Sequence, residues 1–196
     1  GDGTIFPVEI GLNPLKGASA GLVLASVIDI SARKLAENEL ALREQRFSAA
    51  FEQAAVGMAQ VGLDGRWLRV NPRLCAITGY DEQELLRSNF QAITHPDDLQ
   101  ADLDLLQDVM EGRRHDYTLE KRYRHKQGHD VWVALTVALV RGENGEPLYE
   151  SAVIEDIGAR KALEARVQEQ QRELEHRVQE RTAELQAANA ALEHLA

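Results

Sequence analysis

The sequence predicts an α+β fold: a five-stranded antiparallel sheet with flanking short helices, followed by a long C-terminal coiled-coil helix. Three observations carry this. Residues 116–157 hold three strand-length runs separated by Gln127-Gly128 and Asn144-Gly145, which are turn signals, and the middle run is apolar and rich in β-branched residues from Val131 to Val140. Residues 56–70 hold two shorter runs around Asp64-Gly65, a tight hairpin turn. After Gly158 the chain has neither Gly nor Pro and is rich in Glu, Arg, Gln, Ala and Leu, good helix formers. The expected organisation is a hairpin remnant over 1–30, a linker helix over 31–50, a domain over 51–158 and a coiled-coil helix over 159–196.

From the N-terminus, the first feature is an internal repeat. Residues 29–34 read Asp-Ile-Ser-Ala-Arg-Lys and residues 156–161 read Asp-Ile-Gly-Ala-Arg-Lys. Each follows two apolar runs and precedes a charged helix. The first copy has only the last two strands of the second, and a lone hairpin is marginal in water. Residues 1–30, with Gly21-Leu22 opening their second strand, therefore read as the tail of a truncated upstream domain. Ser31 is placed to cap the helix over 31–50, where Leu35, Leu42 and Ala49 recur every seven residues.

Val56–Leu63 and Arg66–Val70 are the first two strands of the main domain. Asn71 caps a short helix with Pro72 at its first position, and Gly79 ends it. Asp81 opens another helix, with Glu84 as its capping-box partner. His95-Pro96-Asp97-Asp98 opens a longer one, its acids in the first turn where the helix dipole favours them. Leu99, Leu103, Leu106 and Met110 stripe that helix and Gly112 stops it. The strands then run over 116–124, 129–140 and 147–157. In the middle one, Val131, Val133, Leu135, Val137 and Leu139 form one face and Trp132, Ala134, Thr136, Ala138 and Val140 the other. A sheet wet on one side alternates more cleanly, so cover on both faces is expected, from a flanking helix or a second subunit.

The last helix has a seam at Leu163, Val167, Gln170 and Leu174, resumed at Val178, Arg181, Leu185, Ala188, Leu192 and Leu195. The step of four from Leu174 to Val178 is a stutter, which locally unwinds a left-handed coiled coil. At 1.5 Å per residue the helix runs roughly 55 Å, beyond the reach of so small a domain, so pairing with a second copy is expected.

Composition narrows the function. Of 196 residues, 44% are hydrophobic and 28% charged, as in a globular protein. A net charge of −10 argues against nucleic acid and against an anionic membrane surface. The lone cysteine, Cys75, allows no intrachain disulfide and fits a reducing, cytoplasmic setting, with room for a membrane anchor elsewhere in a longer parent.

The order of elements and several motifs resemble the PAS fold. Asp64-Gly65-Arg66-Trp67, Val70-Asn71-Pro72, Thr78-Gly79-Tyr80 and Glu84-Leu85-Leu86 look like its first half. His95-Pro96-Asp97-Asp98, Lys126-Gln127-Gly128 and Trp132 are similar to its second, and Asp156-Ile157-Gly158 resembles its closing Asp-Ile-Thr signature. Asp29-Ile30-Ser31 is the same signature upstream. Arg181-Thr182-Ala183-Glu184-Leu185, Ala188-Asn189 and Leu192-Glu193 resemble the helix that precedes the phospho-accepting histidine in sensor histidine kinases.

The resemblance implies a non-catalytic sensory and dimerisation module that relays a ligand or upstream signal through a parallel coiled coil to a kinase core absent from this chain. The alternatives are a ligand-free structural spacer or a regulator of a diguanylate cyclase. Expected pocket residues are Phe90, Ile93, Tyr123 and Leu135, in a pocket lined by apolar side chains. Expected relay residues are Asp156, Ile157 and Asp29, with Arg160 or Arg124, or a backbone group near the helix start, as partner to Asp156. Leu163, Val167, Leu174, Val178, Leu185 and Leu192 are the expected dimer seam. The identity of any cofactor is open. A LOV-type flavin adduct needs a reactive cysteine in an Asn-Cys-Arg setting, whereas Cys75 lies in Leu74-Cys75-Ala76 and reads as a packed thiol. Haem needs a histidine on the longer helix, and His95 precedes it as a cap or turn residue. Noncovalent flavin stays open. His125 and His129 flank a Lys-Gln-Gly turn, the setting of a solvated hairpin rather than a metal site.

Overall fold

The chain folds as two units that divide between Glu52 and Gln53. The structure, a computed structural model, describes residues 3, 5–14 and 23–193, with the backbone alone from 187 onward. The first unit holds β1 (Val8–Pro14), β2 (Val23–Asp29) and helix α1 (Ser31–Glu52). The two strands pair antiparallel from Val8 opposite Asp29 to Pro14 opposite Val23; Gly21 and Leu22 lie outside the described residues. Ser31 is the first residue of α1 rather than its cap. Its N–H and hydroxyl both donate to Asp29 Oδ1, at 2.8 and 2.6 Å, so the carboxylate does the capping.

The second unit holds β3 (Gly57–Val61), β4 (Trp67–Val70), α2 (Pro72–Thr78), α3 (Glu82–Leu86), α4 (Phe90–Ile93) and α5 (Pro96–Met110). Then follow β5 (Asp116–Arg124), β6 (Asp130–Arg141), β7 (Pro147–Asp156) and α6 (Gly158–Glu193). The strands form one antiparallel sheet in the order β4-β3-β7-β6-β5. The chain reaches β5 only after the four helices, so its first and last strands meet at the centre, where β3 pairs with β7 from Gly57 opposite Ile154 to Val61 opposite Glu150.

Local chemistry sets the helix ends. Asn71 is fully buried; its side chain accepts from Leu74 N–H and Met58 N–H and donates to Val56 O, all at 2.9 Å. One residue thus caps α2 and ties it to the chain entering β3. Gly79 closes α2 at φ 77°, a left-handed conformation that a Cβ would strain. Asp81 and Glu84 form the capping box of α3. The short helix α4, which the sequence reading did not separate, is capped by Asn89. His95 caps α5, its Nδ1 accepting from Asp97 N–H at 3.2 Å.

The helices cover one face of the sheet. Leu74, Val133 and Ile154 are fully buried there, and each such side chain contributes ~1.5–3 kcal/mol relative to exposure. Half-buried Cys75 packs against this core. On the opposite face of β6, for which cover from a flanking helix or a second subunit is expected, Trp132 and Ala134 are partly covered within the single chain, while Thr136 and Ala138 are exposed. No described helix is long and apolar enough to cross a membrane.

Candidate functional site

Period-two alternation sends Tyr117, Leu119, Lys121 and Tyr123 of β5 toward the helices, and Glu150, Ala152 and Ile154 of β7 likewise. Two of those positions carry charge. On α5, Asp102 lies among Leu99, Leu103 and Leu106 on the helix face turned to the sheet. Asp102, Lys121 and Glu150 therefore meet inside the core, each at most 3% exposed.

Bringing charges out of water costs several kcal/mol per ion unless geometry compensates. Here Lys121 Nζ lies 2.5 Å from Asp102 Oδ2 and donates to Thr94 Oγ1 at 3.2 Å. The Tyr117 hydroxyl donates to Asp102 Oδ1 at 2.8 Å. The ammonium also sits 4.5 Å from the Tyr123 ring centre and 5.3 Å from that of Phe90, where the ring quadrupoles favour a cation. Burial lowers the Lys121 pKa while Asp102 opposes the change. Burial, reinforced by Asp102, drives the Tyr117 phenol far above its usual range, so it remains a donor.

Glu150 is less well served. Its Oε1 is buried without a hydrogen-bond partner among the described residues, and so is the Trp67 indole Nε1. Burial pushes the Glu150 carboxyl up to about 7, Asp102 adding to the rise and Lys121 opposing it. These groups line one small cavity of about 10 Å³, room for a single water. Its walls are Val61, Trp67, Phe90, Asp102, Tyr117, Lys121, Tyr123, Leu135, Val137, Glu150 and Ala152.

Of the expected pocket residues, Phe90, Tyr123 and Leu135 line this cavity; Ile93 is in the core but off the lining. The lining is not wholly apolar as expected: the acidic and basic side chains of Asp102, Lys121 and Glu150 reach it, with the Trp67 indole. The signal was present in the sequence: an acid within the stripe of α5, a lysine two residues from Tyr123 and a glutamate two residues from Ala152, all at inward positions of their elements.

A second arrangement lies at the root of α6. β7 ends at Asp156, and Ile157 is buried with its N–H on Trp132 O at 3.0 Å. Asp156 Oδ1 accepts from Gly158 N–H at 2.9 Å. Its partner is that backbone group; the Arg160 guanidinium goes to Glu120 at 2.7 Å and Glu164 at 3.1 Å, and Arg124 stands opposite Asp130 in the β5–β6 ladder. Lys161 Nζ meets Glu120 at 2.7 Å and lies 5.0 Å from the Trp132 ring centre. Arg122 is 5.4 Å from that ring centre and forks onto Asp98, with 2.8 and 2.9 Å bonds, at the start of α5.

The first unit repeats this junction. Ile30 N–H bonds Pro7 O at 3.1 Å, Lys34 N–H bonds Ile30 O at 2.9 Å as Lys161 N–H bonds Ile157 O, and Arg33 reaches Glu9 on β1 at 2.9 Å. Along α6, Leu163, Val167, Leu174, Val178 and Leu185 are each more than half exposed in the single chain. The side chains of Leu192 and Leu195 lie outside the described residues. His125 and His129 stack at 4.3 Å between ring centres beside their turn.

Residues 68–154 match the PAS fold family. This part of the chain is a PAS domain. The PAS domain structure from Colwellia psychrerythraea superposes with a TM-score of 0.56 at 21% identity, covering 60% of this chain and 98% of that one. Two longer proteins share the sequence. The probable diguanylate cyclase DgcE of Escherichia coli (strain K12) is 44% identical over 121 residues, 62% of this chain and 11% of the cyclase. The sensor histidine kinase TmoS of Ectopseudomonas mendocina is 27% identical over 146 residues, 74% of this chain and 15% of the kinase. The chain thus spans a small part of these relatives, and the PAS domain is a sensory, non-catalytic module within signalling proteins.

Proposed function

We propose that this chain senses a change in the PAS core and passes it through α6, paired with a second copy in a parallel coiled coil, to an output domain beyond it. The supporting observation is the arrangement of three consecutive residues on β5. Lys121 faces inward to Asp102 and the cavity. Glu120 faces outward and holds Arg160 and Lys161 of α6. Arg122 faces outward and holds Asp98 of α5. A shift of β5 caused from the cavity must move both outer contacts, because adjacent residues of a strand move together. That makes β5 the candidate two-state element that both sites bias. The exposed apolar seam of α6 supports pairing, since a single helix leaves Leu163 through Leu185 in water. The exposed face of β6 is a second surface on which a partner copy can pack. Asp29, at a junction like that of Asp156, extends the same relay to α1, and residues 1–30 read as the end of an upstream PAS domain.

The kinase-like pattern of Arg181 through Glu193 supports a histidine kinase as the output. The 44% identity to a diguanylate cyclase supports a cyclase as the second reading. A protein carrying this chain with its output domain separates them: one phosphorylates itself from ATP, the other condenses GTP. In either, Glu120→Ala and Asp156→Ala are expected to change regulated output while native mass spectrometry still finds a dimer. Unchanged regulation in both variants, or a strictly monomeric chain, overturns the relay.

A further inference from the structure

Trp67 on β4, Val61 on β3 and Glu150 on β7 stand in one row across the sheet, Val61 opposite both neighbours. All three line the cavity. Neighbouring strands lie about 4.8 Å apart, so the outer two residues rise about 10 Å from each other on either side of Val61. Trp67 and Glu150 each hold a buried polar atom without a partner among the described residues, Nε1 and Oε1. One is a donor and the other an acceptor. Leaving such groups unpaired is costly, and a pair of opposite sense on one cavity is the pattern a bridging molecule answers.

We propose that the cavity takes a small uncharged molecule carrying both a donor and an acceptor, of the primary carboxamide type, its N–H on Glu150 and its carbonyl on the Trp67 indole. The inference rests on the sensory reading above and specifies the ligand chemistry of that reading. Charge selects the class. Lys121 is neutralised by Asp102, whose two oxygens are already taken by Lys121 and Tyr117. Above about pH 7, where Glu150 is ionised, an anion meets the Glu150 and Asp102 carboxylates with no unpaired cation among the described lining residues to receive it. A cation has no acceptor to offer the Trp67 N–H. Size restricts the ligand to a few heavy atoms, because a cavity of about 10 Å³ must yield locally to admit even these.

Three molecules of nearly equal shape, compared at pH 8 where Glu150 is ionised, test this: acetamide, acetate and acetamidinium. The chain has only two tryptophans, Trp67 and Trp132, so the indole N–H resonances of the 15N-labelled chain report the site and, separately, the outer face of β6. Acetamide is expected to move the Trp67 signal saturably. Acetate and acetamidinium are expected to bind at least about tenfold more weakly, the cost of one mismatched buried hydrogen bond. Glu150→Leu and Trp67→Phe are each expected to weaken acetamide by about tenfold or more, read at the Val61 methyls where the indole is gone. The Trp132 signal and the thermal melt show whether each variant is folded. Equal binding of either charged analogue, no saturable binding of acetamide, or unaltered binding in both folded variants overturns the proposal. A failure here leaves the Glu120 and Asp156 relay test standing, and the two outcomes are read separately.

Discussion

Replacing Glu150 with glutamine removes a titrating group and keeps its shape. The folded carboxyl holds its proton up to about pH 7, against an ordinary value of 4.5. A group whose folded pKa is raised contributes stability that is fully present below the unfolded value and lost as pH rises through the folded one. For Glu150 that window is pH 4.5 to about 7. The gap corresponds to about 3 kcal/mol of stability forfeited by the native chain at pH 8, and about 1 kcal/mol at pH 5. Glutamine forfeits nothing across this range. Glu150→Gln is therefore expected to gain roughly 2 kcal/mol over the native chain on going from pH 5 to pH 8. The contributions of Asp98 and Glu84, whose pKa values are lowered by Arg122 and Lys126, have the opposite sign and cancel between the two proteins. Urea unfolding followed by tryptophan fluorescence reads this directly, since both indoles lie in the second unit. A difference independent of pH, or a glutamine variant less stable at pH 8, refutes the reasoning.

Asp102→Leu or Lys121→Met alone leaves a buried charge unpaired and is expected to cost about 3–5 kcal/mol, while the double variant loses less than either; urea titration of the cycle measures the coupling. Asn71→Ala removes the α2 cap and strips partners from Met58 N–H and Val56 O, an expected loss of roughly 2–3 kcal/mol by the same assay. Gly79→Ala places a Cβ at φ 77° and is expected to lose about 1–2 kcal/mol, seen as a lower melting temperature.

The sequence by itself determined most of the fold. Asn71-Pro72, Gly79, the Asp81–Glu84 box and His95-Pro96 act through atoms a few residues away, so they are legible without tertiary information. The strands of residues 116–157 were legible because alternation and turn residues are local as well. Helix α4 was not, since its four residues are too few to show a period.

The core site was only half legible. Of the four residues expected for the pocket, Phe90, Tyr123 and Leu135 line the cavity and Ile93 does not. Asp102, Lys121 and Glu150 sit at inward positions of three different elements, each an anomaly in its own pattern, and nothing in any one pattern says that the three meet. Likewise the charge of Arg160 suggested Asp156 as a partner, but Glu120, forty residues away, took it. Local propensity decides which backbone forms. Which buried charge finds which partner depends on how strands far apart in sequence come into register, and only the tertiary structure decided that.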